Sequence, residues 1–185
     1  MNRTAADQAA GRIRATADRQ ARLRKTRKRG EEEEMKSLKE ILHNPESYHE
    51  VVRDGMRTLE EEVSRKSGLS GMAIKGAYKV LKGVRQGKVL QKAVEVLMPD
   101  FIDKLDPYFV RYQKEGKGST WTEFLRPHYD TIADQLLTAT DAKVQQTEHR
   151  AIRTPYEKLR PKARKEVVAS LPALARMMER HIPKN

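Results

Sequence analysis

Cysteine is absent from the 185-residue chain, so disulfides, thiolate nucleophiles and cysteine-held zinc are all excluded. Aromatic residues make up only 5% of it, and Trp121 is the single tryptophan, which leaves few flat side chains for stacking on nucleic-acid bases. Long apolar runs are missing as well. Charges or prolines interrupt every hydrophobic stretch before the roughly 18 residues that a membrane span needs. The N-terminus has arginines, but neither the apolar core nor the small-residue cleavage site of a secretory signal. Strand-like alternation of useful length is also lacking. Together these absences predict an all-α, cytoplasmic protein without a transmembrane segment.

What the chain has in quantity is charge. Charged residues account for 35% of it, and 38 Lys and Arg outnumber 26 Asp and Glu, for a net +12. Such an excess attracts polyanions, although it also serves solubility alone. Ten of the basic residues fall within residues 1–30, against Asp7 and Asp18, among alanines that favour a helix but give it no core to join. Residues 1–34 therefore read as a mobile basic arm. The arm ends in Arg27-Lys28-Arg29-Gly30 and Glu31 to Glu34, directly before Met35. In a bacterial gene, consecutive Gly and Glu codons are purine-rich, as a ribosome-binding site is. Met35 is on that ground a candidate for the natural start, with residues 1–34 upstream of it and residues 35–185 as a single helical domain.

From Met35 onward apolar residues recur at helical spacing. Leu38, Ile41 and Leu42 form a short helix stopped at Asn44-Pro45, where Asn44 can cap a new helix carrying Tyr48, Val51, Val52, Met56, Leu59 and Val63. After the turn Ser67-Gly68-Leu69-Ser70-Gly71 comes a stripe of Ile74, Ala77, Tyr78, Leu81 and Val84, closed by Gly83 and Gly87. A further helix runs to Pro99. Asp100 then caps a segment with Phe101, Ile102, Leu105, Phe109 and Tyr112, which Pro107 kinks or divides. Trp121, Phe124 and Leu125 precede Pro127, and Ile132, Leu136 and Leu137 mark the next helix. The last helices are expected after Pro155 and Pro161, with Pro172 as a kink. The predicted architecture is a compact array of about six to eight helices with a basic N-terminal arm.

Several segments carry a resemblance: Met35-Lys36-Ser37-Leu38-Lys39-Glu40-Ile41-Leu42, Ser67 to Lys75, Leu97-Met98-Pro99-Asp100-Phe101, Leu105-Asp106-Pro107, Thr140-Asp141-Ala142-Lys143 and Tyr156-Glu157-Lys158-Leu159-Arg160. Over residues 35–183 the chain resembles a family of bacterial helical proteins labelled a domain of unknown function. The resemblance implies a helical fold and a bacterial source, and it starts at Met35. It implies no activity, catalytic residue or ligand.

The sharpest chemical feature is the stretch from Val63 to Val94, which contains no acidic residue. Within it Lys75, Lys79 and Lys82 share one helical face, and Arg85 and Lys88 follow. Ser70 and Gly71 would add free N–H groups for an anion at the start of that helix. A second basic cluster holds Arg150, Arg153, Lys158, Arg160, Lys162, Arg164 and Lys165, interrupted only by Glu157, and its prolines predict a loop-rich region. The candidate polyanion-binding set is Lys75, Lys79, Lys82, Arg85, Lys88, Arg153, Arg160 and Arg164. The competing reading is a solvated lysine face beside an ordinary glycine turn. Whether the two clusters share a surface is open at this point.

Catalytic signals are sparse. His43, His49, His128, His149 and His181 are scattered, and Glu46 to His49 is a lone Glu-x-x-His without the second copy that a di-iron bundle uses. Asp100, Asp103 and Asp106 fall along one helical flank, where capping and solvation account for them better than acid-base work. No nucleophile elbow, phosphate loop or dinucleotide fingerprint occurs. The expectation is a non-enzymatic protein with no cofactor, metal or catalytic residue, binding RNA or DNA phosphates without base specificity. The alternatives are a protein-interaction module and peripheral attachment to anionic lipid.

Overall fold

The computed structural model describes residues 36–42 and 44–182, together with residues 19, 20, 22 and 23. The rest of the expected arm, Met35 and His43 lie outside the described residues, as does the side chain of Glu46. The chain divides into Met1–Lys36 and Ser37–Asn185. In the first unit Arg19, Gln20, Arg22 and Leu23 are helical and exposed.

The second unit is built from helices alone, among the described residues. Five are long: α2 (Pro45–Arg65), α3 (Gly68–Gly83), α4 (Lys88–Glu115), α6 (Tyr129–Gln146) and α7 (Arg150–Glu179). Two of five residues each, α1 (Leu38–Leu42) and α5 (Trp121–Leu125), complete the set, with 3-10 turns at Val84–Gly87 and Arg126–His128.

Both short helices begin in a capping box, the reciprocal arrangement that satisfies two otherwise unbonded N–H groups. In α1 the Ser37 N–H donates to Glu40 Oε2 at 2.8 Å, and the Glu40 N–H donates to Ser37 Oγ at 3.2 Å. Thr120 and Glu123 do the same for α5. Pro45 opens α2, where its missing N–H costs nothing.

The structure corrects the reading of Pro99, Pro155 and Pro161 as helix boundaries, and it shows one helix through Pro107 and one through Pro172. Helix α4 passes through Pro99 and Pro107, and α7 through Pro155, Pro161 and Pro172. A proline in a helix interior costs about 3 kcal/mol, but burial of a single large apolar side chain returns about 1.5–3 kcal/mol. In α4 the buried Met98, Ile102, Leu105 and Phe109 surround the two prolines, and in α7 Leu171, Ala175, Met177 and Met178 surround Pro172. Continuity of the buried face outweighs the lost hydrogen bonds. Asp100 is accordingly inside a helix rather than at its cap.

The core gathers side chains from α1, α2, α4, α5, α6 and α7 around Trp121, which is fully buried and meets Phe109 edge-on at 5.4 Å. Helix α3 adds nothing to this cluster, since its only buried residue is Gly71. It leans on α2 and α7 instead. Its C-terminal end reverses into α4 through Arg85 (φ 47°), Gln86 (φ 57°) and Gly87 (φ 83°), all in the left-handed region. For Arg85 and Gln86 that conformation costs about 1–2 kcal/mol each.

Candidate functional site

Helix α3 has three faces. With 3.6 residues per turn, Ile74, Ala77, Tyr78 and Leu81 turn inward and are half-buried, while Lys75, Lys79 and Lys82 form an exposed flank. The outer face is apolar. It carries Leu69, Met72 and Val80, which are 82%, 63% and 53% exposed, with Gly76 between them. Exposed large apolar side chains of this kind on one face of a helix mark a contact surface.

The eight predicted cations separate into two groups. Lys75, Lys79, Arg85 and Lys88 are exposed, and among the described residues none has a carboxylate partner. The other four are paired. Lys82 donates to Glu60 of α2, which raises the pKa of its ammonium, and it also lies over the Tyr78 ring at 5.7 Å. Arg153 meets Glu157 at 3.4 Å. Arg160 donates to both oxygens of Asp141 at 2.7 Å, beside the Tyr156 hydroxyl, which donates to Asp141 Oδ1 at 2.5 Å. Arg164 reaches Asp134 at 2.7 Å and Asp130 at 2.8 Å.

These bonds hold the carboxyls of Asp141 and Asp134 below the usual range, through the Arg160 and Arg164 hydrogen bonds respectively. The second basic cluster is thus not a loop-rich region. It is helical, and two of its arginines fasten α7 to α6. Asp130, Asp134 and Asp141 recur at helical spacing on α6, and that spacing was the sequence signal for the pairing.

The first turn of α3 differs in part from expectation. The Gly71 N–H donates to the Ser67 carbonyl at 3.2 Å and is not free for an anion, and the Ser70 hydroxyl donates to Glu166 at 2.8 Å. Asp100 and Asp103 pair with Lys143 and Lys39 at 3.2 and 3.1 Å, and Asp106 accepts the Lys39 N–H, so this trio ties α1 and α6 to α4. His181 lies 3.0 Å from Asp54. Burial opposes ionisation of Asp54, but Arg57, the His181 hydrogen bond and Arg180 together lower its pKa. Among the described residues no group of three or more His, Asp or Glu side chains is placed to hold a metal ion, and no helix is long and apolar enough to cross a membrane.

Two hollows lie in this part of the molecule. A groove of about 290 Å³ is lined by Arg85, Lys88 and Lys92, and by Lys143, His149 and Ile152 from α6 and the start of α7. It brings the end of the acid-free stretch next to the start of the second cluster. A larger cavity of about 520 Å³ lies between α2, α3, α4, α6 and α7. Its walls are apolar, including Leu59, Ile74, Val94, Phe101, Leu159 and Leu174.

The exposed residues of the cavity wall are Leu69 and Ala73 of α3 and Lys158 and Lys162 of α7. The mouth therefore opens between α3 and α7. Nearby, Glu166 is held by Lys66 at 2.9 Å and by Ser70, and the Lys66 hydrogen bond leads in keeping its carboxyl low. Sequence periodicity missed this cavity. The available signal was the set of small residues Ala73, Ala163 and Ser170 on the facing helices α3 and α7, where a larger side chain would have filled the space.

A family model described as a family of unknown function (DUF6918) matches residues 38–182. No curated protein and no solved structure matches the chain.

Proposed function

The chain belongs to this family of unknown function, so its role has to be argued from its own residues, and we propose that it is a non-catalytic binding protein for polyanionic surfaces whose target is an anionic membrane surface, met by α3. The observation that carries this reading is the exposure of Leu69, Met72 and Val80 directly beside Lys75 and Lys79. A helix lying in a lipid interface buries an apolar face while flanking lysines reach anionic headgroups, at about 1 kcal/mol for each Lys near the surface. Arg85, in the turn after α3, and Lys88, at the start of α4, are further exposed cations without a carboxylate partner among the described residues.

Binding of RNA or DNA phosphates would use the same lysines. It leaves three exposed apolar side chains without a role, and the arginines expected to widen the phosphate contact are engaged with aspartates. Sedimentation with phosphatidylglycerol vesicles and with phosphatidylcholine vesicles tests the proposal. The expected result is binding to the anionic vesicles alone, weakened by salt and abolished by Leu69→Glu with Met72→Glu. Equal binding to both vesicles, or binding to duplex RNA or DNA that survives the double substitution while vesicles are ignored, overturns it. A protein partner retained by the wild type at high salt, with no vesicle binding, would instead favour an interaction module.

A further inference from the structure

The apolar cavity between α2, α3, α4, α6 and α7 has a volume of about 520 Å³, inside the range of about 300–1,000 Å³ usual for small-molecule sites. We propose that it is a binding site for a single-chain amphiphile with an acidic head, its alkyl chain lying among Leu59, Val94, Leu159 and Leu174 and its carboxylate or phosphate held at the mouth by Lys158 and Lys162.

The chemistry of the lining selects this class. Walls of aliphatic side chains favour a ligand body that offers no hydrogen-bonding groups. Several of the polar groups that line the space are already engaged by other protein groups. Glu166 is bonded by Lys66 and Ser70, Glu62 by Arg65, the Tyr156 hydroxyl by Asp141, and the Thr140 hydroxyl donates to the Leu136 carbonyl. Lys158 and Lys162 are different. They stand one turn apart on α7, exposed at the mouth, and among the described residues neither has a carboxylate partner. An alkyl chain inserted between α3 and α7 places its head at these two ammonium groups, and a charged head there gains charge-assisted hydrogen bonds that a neutral head lacks.

The site does not depend on docking by α3, because a dissolved amphiphile enters the cavity with no vesicle present. The test is calorimetric titration of the full chain, after lipid extraction, with myristate and with the lysophosphatidate of the same chain, each below its micelle concentration, and with 1-tetradecanol. Saturable one-to-one binding is expected for the two acidic ligands, with the alcohol weaker by roughly tenfold. Whichever acid binds more tightly identifies the head as carboxylate or phosphate. Lys158→Ala with Lys162→Ala removes most of the preference for the acids and leaves the alcohol unchanged. Ala163→Phe fills the cavity and weakens all three, and Ser170→Leu in the same wall replaces it if that variant melts early.

Methyl resonances locate the chain independently of affinity. Those of Leu159 and Leu174 are expected to shift with myristate, while those of Leu38 and Leu42 in the packed core stay in place. Absence of saturable binding by both acids, an alcohol bound as tightly as they are, or shifts confined to Met72 and Val80 on the outer face of α3 would each overturn the proposal. A failure here with vesicle binding intact leaves the docking role of α3 standing, and the converse pattern leaves the cavity site standing.

Discussion

Gly71 and Gly76 are five residues apart in one helix, and their neighbourhoods predict opposite responses to the same substitution. A Cβ at Gly71 would lie 2.7 Å from the Lys66 carbonyl carbon and 3.0 Å from its oxygen, backbone atoms that cannot swing aside. Gly71→Ala should destabilise the fold by about 1–3 kcal/mol as an overpacked contact. A Cβ at Gly76 meets nothing within 4 Å. There Gly→Ala removes unfolded-state freedom and should stabilise by about 0.5–1 kcal/mol. Urea unfolding of the two variants distinguishes them, and equal effects would contradict the close approach of α3 to the end of α2. At this scale the sequence is only half legible. The glycine-rich turn is visible in it, but the Ser67-Gly68-Leu69-Ser70-Gly71 run reads as an anion seat because nothing local shows that Ser70 meets Glu166, 96 residues away.

Among the elements, the α6–α7 pair has the clearest electrostatic dependence. Asp141 accepts bonds from Arg160 and Tyr156, and these keep its carboxyl ionised below its ordinary 3.8. A carboxyl whose folded pKa is depressed adds stability that is fully present above the unfolded value and disappears as pH falls through the folded one. Asp141→Asn should therefore cost about 1–2 kcal/mol near pH 7, a figure discounted because the side chain is 31% exposed. The gap between wild type and variant should begin to narrow near about pH 4 and close as pH falls through the lower folded pKa. Thermal melts across pH measure both, and a gap that is independent of pH would remove the charge argument. Element type was legible from apolar spacing, as Val51, Ile102, Leu136 and Leu171 all face inward where periodicity places them. Element length was not. Prolines at 99, 155 and 161 look like stops because the local rule counts only the lost backbone bond, whereas the buried face of α4 and the Asp–Arg fastenings of α7 are tertiary.

For the molecule as a whole, net charge is a poor guide to where an anion would bind. The +12 was legible from composition, but composition cannot distinguish cations spent on the fold from cations left facing solvent. Arg160 and Arg164 bind aspartates of α6 and Lys82 binds Glu60 of α2, whereas Lys75 and Lys79 have no such partner among the described residues. Charge reversal should separate the two kinds. Lys75→Glu with Lys79→Glu breaks no ion pair, so the melting temperature should stay within about 2 °C of wild type, since surface changes of this kind rarely exceed 0.5 kcal/mol. Vesicle affinity should nevertheless fall by at least about thirtyfold, because two favourable contributions of about 1 kcal/mol each are lost and become repulsive. Arg160→Glu should show the reverse, a lowered melting temperature from facing Asp141 with like charge and little change in vesicle affinity for the fraction that stays folded. Melting curves and vesicle sedimentation on the same preparations read both quantities. If the lysine pair alters stability and leaves vesicle binding untouched, α3 is a structural helix and its exposed lysines belong to solvent.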